Sequence, residues 1–373
     1  MKILYVISDR NIGGAGIWLL NLLRHLDRRS FSVTVALPFQ SRLRERLVGM
    51  RVRVRELEQP CEVLSLSSVR ELVSVIRAER PDAVHTNAAV AARVAGRLCG
   101  CRVFFTRHCA YPTRAEATPF SARLANRWLT DRAIATAAAA ARDLTAMGIP
   151  QKRITVIRNG SDPIREVGEE ETAAWRRRLG LTEDDFCVGI CARLEVCKGH
   201  DVLLRAARLA VDRLPQARLR FLIVGDGSRR TELERLARSL GLCDAVRFVG
   251  FLDDVAPIYR LLRLHVNASR GTETSCLAVS EAMSAGVPQI VSDYGGNREM
   301  LRDSIDGIDG AAGLIVPVGD ATALADAICR VASDPRTEQR LRRAAYRRYC
   351  THFTARRMAD AYAREYQKGG KDS

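Results

Sequence analysis

The chain is poor in lysine. Of its 59 basic residues, five are lysine and 54 are arginine, so a lysine at a strand end carries information that an arginine does not. Aromatic residues make up 6% of the chain. That is too few for the interleaved stacking platforms of a nucleic-acid-binding face, and no nucleic-acid partner is expected. No stretch reaches the roughly 18–20 consecutive apolar residues of a membrane span. The opening "MKILYVISDR" sets charges directly after a short apolar run and offers no small-residue cleavage site. It reads as a buried first strand and not as a signal peptide. The eleven cysteines are odd in number and include no Cys-x-x-Cys pair. Their scatter argues against a clustered zinc site and fits small core residues in a reducing cytosol. No Asp-x-Asp pair is present to hold a metal ion, so no required metal is expected.

What is present fits a globular protein: 373 residues, 47% hydrophobic and 27% charged, or about two domains at roughly 100–200 residues each. The net charge of +16 is uneven. Residues 1–165 hold 27 basic and 13 acidic side chains, residues 166–335 hold 21 and 26, and residues 336–373 hold 11 and 4. A basic first half points to an anionic partner. An arginine-rich composition that merely decorates solvated faces is the alternative.

Short apolar runs alternate with longer amphipathic ones. Strands are predicted at 2–8, 31–37, 51–57, 82–86, 102–107, 132–137 and 154–158, with helices near 16–27, 66–79, 88–98, 119–130 and 138–147. The polar, Gly- and Pro-punctuated stretch 159–185 interrupts the rhythm as a linker with one short helix. Strands at 187–192, 218–224, 246–250, 264–268, 288–292 and 313–317 follow, with helices near 200–213, 229–240, 276–285, 320–333 and 352–367. The expected fold is α/β, with two doubly wound parallel-sheet domains whose strand ends face a cleft. The boundaries are drawn at 1–165, 166–350 and 351–373, the last helix packing back toward the first domain.

Four stretches carry chemistry. "SDRNIGGAG" (8–16) follows the first strand and opens a helix, so its glycines would leave N–H groups aimed at an anion. Leu19 stands where a dinucleotide fingerprint needs its third glycine, which argues against NAD; a plain tight turn stays open. "CARLEVCKGHDVLLRAA" (191–207) places Arg193 and Lys198 at a strand's carboxyl end, a guanidinium fork and a point charge suited to a diphosphate. Gly225 and Gly250 end strands where a flat base could approach the backbone. In "RGTETSCLAVSEAMSAGVP" (270–288) a helix is predicted to begin near Ser275, its free N–H groups and dipole holding the diphosphate's other face. Glu273 precedes that helix, where a transferred sugar would hang. Glu281 lies about 9 Å further at ~1.5 Å per residue, the step from a phosphate to a ribose, whose paired hydroxyls suit a carboxylate. A surface helix charge is the bland reading of Glu281. It sits poorly with neighbours Ala278, Val279, Ala282 and Met283, which look buried.

In this order these segments, with "VRFVGF", "EAMSAGVPQIVSDYGGNRE" and "GLIVPVGD", resemble the retaining glycosyltransferases of family 4 (glycosyl transferases group 1), of the GT-B fold with two Rossmann-like domains. The likeness runs over nearly the whole chain. It implies that Arg193 and Lys198 bind the donor diphosphate, Glu273 holds the transferred sugar, Glu281 the ribose, and His108 faces the donor sugar. Glu273, His108, Arg193 and Lys198 thus form the expected catalytic group. Gly14 and Gly16 would cover the diphosphate from the first domain. Gly225, Gly250, Phe251, Cys276 and Leu277 complete the expected donor contacts. Asn159–Gly160 matches the family's turn before the second domain. Two departures stand out: Ser275–Cys276 replaces the family's usual Phe-Gly, and Gly16 stands where many members carry Glu.

The resemblance implies transfer of a sugar from a UDP- or GDP-sugar to an acceptor bound by the first domain. No cofactor beyond that co-substrate is expected. The acceptor is expected to be a lipid-linked or saccharide precursor of the cell envelope, with peripheral contact between the basic domain and an anionic membrane. The location is then cytoplasmic, at the inner face of the membrane. The alternatives are a sugar-nucleotide epimerase of the same fold and a non-catalytic sugar-nucleotide binder.

Overall fold

The computed structural model describes residues 1–8, 10, 12–61, 64–87, 89–111, 115–302 and 312–368. Asp9 and Asn11 of the first glycine loop, Ala88 at the expected start of one helix, and the final "GGKDS" lie outside them. The chain divides into two units, Met1–Ser161 with Ala355–Ser373, and Asp162–Thr354.

In the first unit β1 (Lys2–Val6), β2 (Ser32–Pro38), β3 (Arg53–Leu57), β4 (Ala83–Thr86), β5 (Arg102–Arg107), β6 (Arg132–Ala135) and β7 (Ile154–Val156) form one parallel sheet in the order β3-β2-β1-β4-β5-β6-β7. Helices cover both faces, so the central strands read as continuous apolar runs instead of alternating ones; Ile3 to Ile7 are all buried. Register sets Tyr5 beside Val35 of β2 and His85 of β4.

Helix Ala355–Gln367 belongs to this unit. Its Tyr362 and Tyr366 are fully buried. The Tyr366 hydroxyl lies 2.6 Å from Nδ1 of His85, whose Nε2 lies 2.7 Å from Oγ1 of Thr106. The same hydroxyl bonds to that of Tyr5. Burial, with a smaller push from His108, lowers His85 to about 3. The ring is therefore neutral, and one nitrogen donates while the other accepts.

The second unit holds β8 (Phe186–Cys191), β9 (Leu219–Val224), β10 (Val246–Gly250), β11 (Leu264–Asn267), β12 (Gln289–Ser292) and β13 (Gly313–Val316). They are parallel, in the order β10-β9-β8-β11-β12-β13. One face packs Val188, Phe221 and Val266 under helices His200–Arg213 and Ala321–Ser333. The other packs Leu222, Val224, Tyr259 and Leu262.

All thirteen expected strands form, with ends within two residues of the prediction. The unit boundaries fall at 161/162 and 354/355, not 165/166 and 350/351. The last helix begins at Ala355 because Tyr349–Phe353 forms a π-helical turn before it. Helices Leu43–Gly49, Ala256–Leu261, Asn297–Leu301 and Pro335–Arg348 were not foreseen. Pro335–Arg348 hides because its buried stripe is Glu338, Leu341, Ala345 and Arg348. The spacing is helical, but half the stripe is charged. Glu338 is paired with Arg263, and the Arg348 guanidinium donates to the carbonyls of Glu299 and Met300.

Candidate active site

Strand order in the second unit reverses between β8 and β11. In an open parallel sheet the crevice beyond the carboxyl ends of such a pair is the ligand position. The loops that leave those two strands carry Lys198 and Glu273.

After β8 the chain makes a short turn, Val196–Lys198, that closes at Gly199 with φ 70°. A Cβ on Gly199 would lie 2.1 Å from the carbonyl oxygen of Ala268, just past β11. Glycine therefore lets the two loops meet. Lys198 donates from Nζ to Oε1 of Glu273. The same oxygen accepts from Oγ of Ser269 at 2.9 Å. Glu273 is buried at 6% exposure. Burial pushes the Lys198 ammonium down, but the Glu273 carboxylate outweighs it and holds the pKa above the ordinary lysine value. The result is a charged, partly desolvated pair at the switch point.

Backbone contacts fix the pair. Gly295 has φ 58°, and a Cβ there would lie 1.9 Å from the Glu273 carbonyl oxygen. Asn267 Oδ1 accepts from the Ser269 amide at 3.1 Å, and Asn297 Nδ2 donates to the Ser292 carbonyl at 3.1 Å. Arg270 ties the loops from outside. Its amide donates to the Cys197 carbonyl at 2.8 Å, its Nε to the Val196 carbonyl at 3.1 Å, and its guanidinium pairs with Asp201 at 2.9 Å.

The following helix is Leu277–Ser284. It starts two residues after the expected Ser275, capped by Cys276 without a side-chain hydrogen bond. Burial pushes the Cys276 thiol up to about 12, so it stays neutral. Glu281 is half-buried on this helix, with Val279, Ala282 and Met283 buried and Ala278 only half so. Its Oε2 lies 3.4 Å from the Tyr259 hydroxyl, which also lies 3.1 Å from the Ala278 carbonyl. One hydroxyl proton serves two acceptors, so the carboxylate is thinly compensated. Burial pushes Glu281 up to about 7, against a smaller downward pull from Tyr259.

Each of the remaining expected residues has its own local setting. Arg193 is exposed, and its guanidinium has no partner among the described residues. Gly225 brings β9 against β8, since its Cβ would lie 2.1 Å from the Ala192 carbonyl oxygen. The Gly225 amide donates to the Gly250 carbonyl at 2.8 Å, and Phe251 beyond it is 62% exposed. In the first unit Gly14 opens helix Gly14–His25 with free space around its α-carbon. Gly16 instead meets Leu43, whose Cδ2 would lie 3.0 Å from an added Cβ, so a side chain there would crowd Leu43. His108 sets its ring edge-on to buried Trp18, centroids 4.7 Å apart, and burial lowers it to about 3. Ser269, Tyr259, Gly295 and Trp18 were not singled out from the sequence. Ser269 alone was within reach, four residues before Glu273. Among the described residues no group of three or more His, Cys, Asp or Glu side chains is placed to hold a metal ion.

The chain is similar to known proteins. Residues 185–334 match the family model for glycosyl transferases group 1, and residues 12–165 match that for glycosyltransferase family 4. EpsD of Bacillus subtilis, named as a glycosyltransferase, is 29% identical over 324 residues, which are 82% of this chain and 82% of EpsD. A D-inositol 3-phosphate glycosyltransferase of Thermomonospora curvata is 30% identical over 261 residues, 65% of this chain and 58% of that protein. The chain thus spans less than two thirds of that relative. The crystal structure of Anabaena HepE in complex with UDP-glucose superposes with a TM-score of 0.84 at 23% identity, over 98% of this chain and 99% of HepE. At that identity the likeness shows the fold alone. With the two family matches together spanning most of its length, the chain belongs to the family 4, group 1 glycosyltransferases of the GT-B fold and is a transferase.

Proposed function

We propose that the protein is a retaining transferase that moves a sugar from a UDP- or GDP-sugar to a lipid-linked or saccharide acceptor held by the first unit. The observation that carries this reading is the Lys198–Glu273 pair at the β8/β11 switch point. An ammonium has three donors. One engages Glu273, and the others are free to meet a diphosphate. Glu273 commits Oε1 to Lys198 and Ser269, which leaves Oε2 to accept from hydroxyls of the transferred sugar.

Sugar transfer breaks the bond between the anomeric carbon and the diphosphate oxygen. Charge collects on that oxygen as it leaves. Lys198, Arg193 and the uncapped start of helix Leu277–Ser284 would stabilise it, so these cations would do the work otherwise given to a metal ion. Glu281 would take the ribose hydroxyls. The acceptor hydroxyl attacks from the face the diphosphate leaves, its oxygen bonds the anomeric carbon, and its proton passes to the departing phosphate oxygen. A neutral His108 would donate to or accept from a sugar hydroxyl without adding charge. A UDP-linked donor is favoured by the HepE structure with UDP-glucose.

Calorimetric titration with UDP, GDP and ADP tests the reading, with Glu281→Ala alongside. One nucleoside diphosphate should bind at micromolar strength and weaken in the variant. If none binds, or if the variant binds equally well, the assignment of Glu281 and the donor site falls. Turnover with excess chelator tests the metal-free step, and its complete loss would overturn that part.

A further inference from the structure

Helix Phe120–Trp128, between β5 and β6, buries one of its nine side chains, Asn126. That side chain is polar and polar-bonded: Oδ1 accepts from Arg93 at 3.1 Å, and Nδ2 donates to the Met147 carbonyl at 3.0 Å. The large apolar side chains point elsewhere. Phe120 is 76% exposed, Leu124 53% and Trp128 59%. Spaced four apart, they fall within an arc of about 80° at roughly 100° per residue. A water-facing helix in a globular fold keeps its apolar stripe inward, and this one turns it out. Such a contiguous exposed patch marks an interaction surface.

Charge borders the stripe. Arg123 and Arg127 are exposed and lie along one edge of it. The Arg123 guanidinium donates to backbone carbonyls, Thr118 at 3.1 Å and Glu116 at 3.2 Å, so its charge is not cancelled. The helix contains no acidic residue, "FSARLANRW", and Arg127 has no carboxylate partner among the described residues. The surplus belongs to the whole unit, which holds 31 basic and 15 acidic residues against 28 and 28 in the second.

We propose that this face docks on an anionic lipid bilayer. The stripe of Phe120, Leu124 and Trp128 enters the boundary between headgroups and acyl chains, and Arg123 and Arg127 meet lipid phosphates. Three side chains on a helix about 13 Å long fall well short of the ~800 Å² per partner of a stable protein interface. Bilayer binding needs only local apolar burial plus charge. A second copy docked across a two-fold axis would set the arginines against their own images. The proposal rests on the transferase reading only for its purpose, which is to hold the first unit beside a lipid-linked acceptor.

The test is sedimentation of the full chain with phosphatidylcholine vesicles, with and without phosphatidylglycerol. Phe120→Ser/Leu124→Ser/Trp128→Ser and Arg123→Gln/Arg127→Gln are run in parallel, with unfolding midpoints and nucleoside diphosphate titration as controls. The unchanged protein should pellet with the anionic vesicles and stay in solution with neutral ones. The apolar variant should lose binding, and the arginine variant should bind roughly thirtyfold more weakly. Tryptophan emission should shift to the blue with anionic vesicles, and Trp128→Phe should abolish the shift. Equal pelleting of all three proteins, no binding by the unchanged protein, or a patch variant that abolishes only a light-scattering dimer would each overturn the proposal. Intact nucleotide binding beside failed docking would leave the transferase reading standing.

Discussion

Lys198 and Glu273, seventy-five residues apart, are joined by a hydrogen bond at the carboxyl ends of two adjacent strands. Each is the other's main electrostatic partner, so removing either leaves a partly desolvated charge behind. Glu273→Gln should lower stability by about 1–3 kcal/mol in urea unfolding. It should also lower kcat at least about a hundredfold through the lost sugar contact and the displaced ammonium. Lys198→Arg keeps the charge but not the geometry, and should restore stability more than turnover. Turnover within about twofold of the unchanged enzyme in Glu273→Gln would remove Glu273 from the reaction.

Glu281 makes a pH prediction. Its carboxyl titrates near 7 in the folded chain against an ordinary value of 4.5. Between these values the folded state holds a proton that the unfolded state has released. Stability therefore falls as pH rises through that window and stays lower above it. Glu281→Gln should raise the unfolding midpoint at pH 8 and leave it nearly unchanged at pH 4. Nucleotide affinity should move the other way in the unchanged protein, rising through pH 7 as the carboxylate forms. A stability gain in Glu281→Gln that is equal at both pH values would contradict a carboxyl raised by burial.

The glycines separate steric from ligand roles. Gly295→Ala forces a Cβ onto the Glu273 carbonyl in a left-handed backbone, so stability and turnover should fall together. Gly14→Ala adds a Cβ to open space in a helix first turn. It should leave the unfolding midpoint level or slightly higher, while KM for the donor rises if Gly14 covers the diphosphate. An unchanged KM would release Gly14 from that role.

Tyr366→Phe removes one hydroxyl and leaves Nδ1 of buried His85 without that partner. The expected loss is about 1–3 kcal/mol, read as a lower urea midpoint at constant m-value. No loss would mean that the Tyr366–His85 bond contributes nothing net to folding.

Much of this was legible in the sequence, for identifiable reasons. Parallel strands buried on both faces announce themselves as apolar runs, so every strand was placed. The glycine at 199 and the glutamates at 273 and 281 were visible because they break the local pattern: a rare lysine before a turn, and carboxylates among small residues. Other features were harder to read. Helix Pro335–Arg348 was concealed because Glu338 and Arg348 are buried through partners far along the chain. Tyr259 was concealed because it reaches Glu281 across twenty-two residues. Gly16 matched a motif, but its contact with Leu43 is packing, which a motif does not distinguish from a ligand contact.

The first unit is discontinuous, leaving at Ser161 and resuming at Ala355. On the ribosome, residues 355–367 emerge only after the whole of the second unit has been made. Until then the faces of Tyr5, Trp18, His85 and Phe104 that these tyrosines cover are bare. A nascent chain therefore carries an unfinished first core while its second core can already close. A chain that stalls at or is cut near Ala355 is left with one complete unit and one adhesive one, a natural substrate for chaperones and proteases.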